Sequence, residues 1–172
     1  MRLLAAVVLV VLGGASFAAE AEVFPSSYIQ EQTYFQGNWI GEGNIGDDAV
    51  TIKFLARWVP GKQGVLIQGS TRRSQGTAKP VQWTLLSGCD VSTKEMVDCS
   101  FASDGGFSVT RWKSDSADEQ AGRETGIQEG KPYNVECKAV KKGPDHWTFT
   151  GTTADGKPIK IEYRRVPAEK PK

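Results

Sequence analysis

Ala49-Val50-Thr51-Ile52-Lys53-Phe54-Leu55-Ala56-Arg57 sets Val50, Ile52, Phe54 and Ala56 against Thr51, Lys53 and Arg57. A period of two marks a β-strand with one buried and one wet face, because successive side chains leave a strand on opposite sides. The pattern returns near the C-terminus, where Ile159, Ile161 and Tyr163 oppose Lys160, Glu162 and Arg164. Two such strands at the two ends of the chain need partners between them.

The intervening glycines supply the turns. They recur at intervals of roughly ten residues, often beside Asp, Asn, Ser or Pro, the spacing of short strands joined by hairpins. Strands are expected near Asn38–Asn44, Ala49–Val59, Gly64–Arg73, Pro80–Gly88, Glu95–Ala102, Gly106–Lys113, Glu124–Glu129, Lys131–Lys141, His146–Thr153 and Pro158–Val166. Asp104-Gly105-Gly106 and Asp155-Gly156-Lys157 read as hairpin tips, since glycine accepts the positive φ of a tight turn. Ser114–Arg123 has much charge and no large apolar residue, so it reads as a loop that carries no core. Tyr28–Gln36 is the one credible helix, capped by Ser26 or Ser27 and packing Ile29, Tyr34 and Phe35 inward. About eight to ten strands on hairpin connections, without alternating helices, point to an all-β fold, an antiparallel up-and-down β-barrel with a short N-terminal helix.

Composition bounds the class. The chain has 172 residues, 24% charged, with 21 basic against 20 acidic side chains. Arg2, the apolar run Leu3–Leu12 and the small residues ending at Ala18 read as a cleaved secretory signal, which assigns the protein to a secreted or periplasmic compartment. Without residues 1–18 the chain is neutral, and its apolar fraction falls to 53 residues in 154. About ten apolar residues are too few to span a bilayer, and a neutral chain without a long Lys/Arg cluster argues against nucleic-acid partners. The expected organisation is a signal at 1–18, an N-terminal segment with the helix at 19–36, one barrel domain at 37–166, and a disordered tail at 167–172.

Phe35-Gln36-Gly37-Asn38-Trp39 resembles the F-x-G-x-W signature that opens the first strand of lipocalins and related calycin barrels. The resemblance implies that a short helix precedes the motif, that Trp39 plugs the closed end with Phe35 and Gly37 beside it, and that Arg164 or Arg165 packs across the indole. Attraction between a guanidinium and an aromatic face gives that contact its physical basis. Trp39-Ile40-Gly41-Glu42-Gly43, with Ser87-Gly88-Cys89-Asp90 and Phe101–Gly106, also resembles a bacterial lipocalin-like family of unknown function. A weaker similarity links Gly37–Gly43 to nitrobindin-type haem barrels, whose iron is held by a His.

The candidate chemistry is sparse. His146 is the chain's one histidine and sits in Asp145-His146-Trp147 after Gly143-Pro144, at a strand start, so it is a poor haem ligand and leaves no second imidazole for zinc. No metal or cofactor is expected. Cys89, Cys99 and Cys137 are an odd set for an exported protein. A tight hairpin at Ser92-Thr93 would put Cys99 opposite Leu85 or Leu86 and too far from Cys89, whereas a wide loop at Asp90–Asp98 would let Cys89 and Cys99 form a disulfide. Cys99, with Val97 and Phe101, and Cys137, with Val135 and Ala139, are both candidates to face the lumen. Most carboxylates stand at turns; Glu42 should point outward, opposite Trp39. Lys138, Lys141 and Lys142 read as solvated strand positions, and Arg72-Arg73 as a mouth that could attract an anion.

The expected function is non-catalytic binding of a small apolar or amphipathic molecule inside the barrel. Its expected lining is Ile52, Phe54, Trp83, Leu85, Phe101, Val135, Phe149, Ile161 and Tyr163, in keeping with the apolar walls of small-molecule sites. Two alternatives stand beside it: a haem or nitrogen-oxide-handling barrel, which needs His146 in the lumen, and an interaction or inhibitor module with a filled core.

Overall fold

The computed structural model describes residues 26–74 and 79–167; the expected signal at 1–18 and all of the expected tail but Pro167 lie outside them. One helix, α1 (Ser26–Phe35), leads into ten strands: β1 (Gly37–Ile45), β2 (Asp48–Trp58), β3 (Val65–Arg73), β4 (Val81–Asp90), β5 (Glu95–Ala102), β6 (Phe107–Ser114), β7 (Glu119–Gln128), β8 (Lys131–Gly143), β9 (His146–Thr152) and β10 (Pro158–Val166). Each strand pairs antiparallel with its neighbours in the chain, and β1 closes the barrel against β10 from Asn38↔Val166 to Ile45↔Ile159. The expected antiparallel barrel with a short N-terminal helix is the observed fold. Closure leaves no sheet edge unpaired among the described strands.

The two ends differ. α1 sits at the end carrying the β2–β3, β4–β5, β6–β7 and β8–β9 turns, because Gly37 enters β1 opposite Ala56 while Asn38 faces Val166. Gln32 donates to Ser87 Oγ at 2.9 Å, and the Tyr34 hydroxyl lies 2.9 Å from the carbonyls of both Gly143 and His146. Lys141 pairs with Glu31 at 2.6 Å and lies over the Tyr34 ring, so it ties the helix to β8 and is not the freely solvated lysine expected. Tyr28 and Gln32 are the helix's buried residues; Tyr34 and Phe35 pack on the core as expected, while Ile29 is only half-buried.

Asp104-Gly105-Gly106 and Asp155-Gly156-Lys157 are hairpin tips at the opposite end, with Gly105 and Gly156 at φ 87° and 82°. The loop expected at Ser114–Arg123 is shorter. β7 begins at Glu119, and Gln120 and Gly122 are buried on its inner face, so this stretch does carry core. A β-carbon on Gly122 would meet the Trp112 ring at 2.7 Å and Cys137 Sγ at 2.8 Å, which shows that the strand leaves space there for a neighbour's indole. A polar amide and a glycine give no apolar alternation to read.

Candidate functional site

The helix-bearing end is sealed by a plug. Trp39 is 1% exposed, and its Nε1 donates to the Phe35 carbonyl at 2.9 Å. The Arg165 guanidinium lies 4.3 Å from the Trp39 ring centre, and its nitrogens also donate to the Tyr34 carbonyl at 2.7 Å and to the Gln36 carbonyl. A cation here both stacks on the indole and satisfies carbonyls at the helix C-terminus. Asp145 fixes the guanidinium from the solvent side at 2.7 Å. Arg164, one residue earlier, points outward and is exposed, so Arg165 alone covers Trp39.

Above the plug lies a lumen of about 400 Å³. Its wall has two characters. β1, β2, β9 and β10 contribute Ile45, Ile52, Phe54, Trp147, Phe149, Ile159, Ile161 and Tyr163, an aromatic and aliphatic face in which the Trp147 and Tyr163 rings stack 4.1 Å apart. β4 to β7 contribute Ser87, Asp98, Ser100, Ser108, Thr110, Gln120 and Glu124, set among Trp83, Leu85, Met96, Ala102 and Trp112. The Ser100 and Ser108 hydroxyls are 2.7 Å apart, and the Tyr133 hydroxyl donates to Glu124. One half of the lining is apolar throughout, and the other mixes apolar and hydrogen-bonding side chains.

Asp98 is the centre of the polar half. Trp112 Nε1 donates to its Oδ2 at 2.8 Å and the Ser87 hydroxyl supports it, with Gln32 of α1 behind Ser87. Its Oδ1 is buried without a hydrogen-bond partner. Burial pushes the carboxyl up to about 6, with the hydrogen bonds from Ser87 and Trp112 opposing and Glu124 adding repulsion. Across the same lumen, Trp147 Nε1 is likewise buried and unpartnered.

Seven of the nine expected lining residues face this cavity: Ile52, Phe54, Trp83, Leu85, Phe149, Ile161 and Tyr163. Val135 faces the mouth beyond it, where Ser100, Ala102, Ser108, Glu124 and Phe149 line both spaces. Phe101, expected in the lining, lies outside it. It is 60% exposed, on the outside of the barrel, with its ring 5.2 Å from that of Phe107. The β4–β5 hairpin pairs Thr84 with Phe101 and Leu86 with Cys99, a register that sends Met96, Asp98, Ser100 and Ala102 inward and Val97, Cys99 and Phe101 outward. β5 therefore carries apolar residues on both faces, with its two inward polar residues, Asp98 and Ser100, between Met96 and Ala102, so the binary pattern does not mark its inner side.

The same register settles the thiols. Cys89 pairs with Met96 and Cys99 with Leu86, so the two sulfurs sit three residues apart on opposite faces, roughly 10 Å along the strand. The Cys89–Cys99 disulfide is not formed, and all three cysteines are free. Cys137 does face inward and is buried; desolvation, with Glu124 and Asp98 adding to it, pushes its thiol up to about 12, which keeps it protonated.

His146 opens β9, opposite Arg164, and lies on the outer face, since Trp147 takes the inward position; its Nε2 is 3.8 Å from Glu162. The placement needed for haem ligation inside the lumen is not met. Glu42 is exposed on β1, as expected. Arg73 lines the mouth but is paired with Asp48 at 2.8 Å, and the lumen behind it bears carboxyls, so an anion-attracting mouth does not match the interior. The polar wall, above all Asp98, Glu124 and Gln120, was missed from sequence; the signal available was the polar parity of Asp98 and Ser100 within β5.

No protein-family model matches the chain, and no curated protein sequence is significantly similar to it.

Proposed function

We propose that the protein is an exported, lipocalin-like barrel that holds a small amphipathic molecule in its lumen without transforming it. The observation that carries this reading is the cavity of about 400 Å³, closed below by the Trp39–Arg165 plug and lined by an apolar wall facing a mixed wall that holds the hydrogen-bonding groups. That volume lies within the ordinary range of small-molecule sites, roughly 300–1,000 Å³, and the mixed lining suits a ligand with an apolar body and a polar group. The thiol of Cys137 is held protonated and His146 lies outside, so the lumen offers no thiolate–imidazole pair for nucleophilic chemistry. The F-x-G-x-W residues and the leader-like N-terminus support the lipocalin-like and exported parts of the reading.

Purification under native conditions followed by native mass spectrometry tests it. The expected result is a retained mass that is lost on organic extraction, together with saturable binding of the neutral fluorophore N-phenyl-1-naphthylamine by the stripped protein. A protein that retains nothing and does not bind the fluorophore contradicts the reading. N-terminal sequencing of protein recovered from the periplasm or medium should begin after Ala18; an intact Met1 would contradict export by a cleaved signal.

A second reading has one observation in its favour. Leu86, Phe101, Phe107 and Ile127 are exposed together on the outer faces of β4 to β7, and contiguous apolar surface of this kind serves protein interaction. Phe101→Ser leaving the lumen's binding intact while abolishing a protein association would favour it.

A further inference from the structure

The lumen contains two carboxyl groups, Asp98 and Glu124, and its described lining has no Lys, Arg or His to neutralise them. A carboxylate taken from water into such a site is costly unless a cation or several donors accompany it. Glu124 has the Tyr133 hydroxyl as a partner outside the main cavity. Trp112 donates to Asp98 Oδ2 and Ser87 supports the carboxyl, yet Oδ1 is buried and has no hydrogen-bond partner within bonding geometry. The site is thus short of positive charge and of one donor.

An independent observation lies on the opposite wall. Trp147 is nine-tenths buried, its Nε1 has no acceptor, and its indole lines the same cavity. Both unpartnered atoms belong to the helix-bearing half of the barrel: Asp98 is three residues from the β4–β5 turn, and Trp147 is the second residue of β9. Toward the mouth, Ile45, Phe149 and Ile159 line one side, with Ser100, Ser108 and Glu124 also on the wall. The unpartnered polar atoms are therefore deep, Glu124 stands nearer the mouth, and one apolar face, Ile161, Phe149 and Ile159, runs outward beside them.

We propose that the lumen takes an apolar-tailed amine head first, with the ammonium between Asp98 and Glu124 and the tail along Phe149, Ile159 and Ile161 toward the mouth. This rests on the lumen-binding reading above and specifies its ligand class. An ammonium supplies both the missing charge and the donor to Asp98 Oδ1, and a hydroxyl or ether oxygen near it would satisfy Trp147 Nε1. An anionic head in the same position meets two like charges, so the site rejects fatty-acid-type ligands as well as selecting amines.

The test is displacement of N-phenyl-1-naphthylamine at pH 7.5 by octylammonium, octanol and octanoate, which share one tail and differ in head. Octylammonium should compete at a concentration at least tenfold lower than either of the others. Asp98→Asn should erase that preference while the fluorophore still binds; Glu124→Gln should reduce it, and serves in its place if Asp98→Asn does not fold. Octanol or octanoate competing as well as the amine overturns the inference, as does an amine preference that survives loss of Asp98. Fluorophore binding with no competition by any of the three also overturns it while leaving the lumen-binding reading intact; absence of fluorophore binding overturns both.

Discussion

Arg165 stacks on Trp39 at 4.3 Å and reaches past it to the carbonyls of Tyr34 and Gln36, so one side chain joins the last strand, the first strand and the end of the helix. Removing it exposes an indole face and leaves helix-terminal carbonyls without donors. Arg165→Ala should lower stability by about 2–4 kcal/mol in urea unfolding, the sum expected of a partly desolvated cation–π contact and charged hydrogen bonds. Arg165→Lys should recover only part, because an ammonium cannot fork to several carbonyls while lying flat on the ring. Arg164→Ala, on the outer face, should change stability by less than about 0.5 kcal/mol. Equal effects at the two positions would contradict the plug.

Asp98 gives the fold a pH dependence of definite sign. Its folded value is raised to about 6 from the ordinary 3.8, so the folded state holds the proton more tightly than the unfolded chain. Stability from this group is complete below about 3.8 and is lost as pH rises to about 6, beyond which the loss is constant. The groups facing it are Glu124 on β7, Cys137 on β8, Tyr28 on α1, and the neutral donors Ser87 and Trp112. Asp98→Asn removes the ionisation, so the variant's unfolding free energy relative to the native protein should rise between pH 4 and 7, by on the order of 2–3 kcal/mol. A carbon-13 carboxyl titration that places Asp98 near 4 would contradict the burial argument.

Gly122 is required by packing, without any backbone strain. Gly122→Ala drives a methyl into the Trp112 ring and Cys137 Sγ and should destabilise by about 1–3 kcal/mol, as overpacking does. Gly88→Ala, where an added β-carbon meets nothing within 4 Å, is the control and should be near neutral. Chemical unfolding of the two variants distinguishes the outcomes; a neutral Gly122→Ala would mean that the β6–β7–β8 wall yields.

The cysteines should be silent within a single chain. Mass spectrometry of protein unfolded and alkylated without reduction should find three modified thiols, and reductant should not move the unfolding midpoint. A tryptic peptide linking Cys89 to Cys99 would contradict the β4–β5 register, because the pairing sets them on opposite faces.

The parts of the fold that could be read from residues are those where one face is apolar and the other is not. β2 and β10 alternate cleanly, and they line the oily half of the lumen. β5 and β7 resist the same reading for one reason: they carry the lumen's two carboxyls and other polar groups on their inner faces. In β5 the inward positions are Met96, Asp98, Ser100 and Ala102, while Cys99 and Phe101 face solvent, so a rule that puts apolar residues inside turns the strand over. In β7 the inward positions are Gln120, Gly122 and Glu124, which resemble a loop. Binary patterning assumes a filled apolar core. A barrel that keeps a chamber with a hydrogen-bonding wall departs from that assumption where it would meet a ligand.

The central claim is that this chamber is the binding site, and blocking it is the most direct measurement. Ala102 lines both the cavity and its mouth, so Ala102→Trp should obstruct the lumen without touching the plug or the outer face. Titration with N-phenyl-1-naphthylamine should show saturable binding to the native protein and at least a tenfold loss in a folded Ala102→Trp variant. Undiminished binding by the blocked variant, or none by the native protein, would contradict the account.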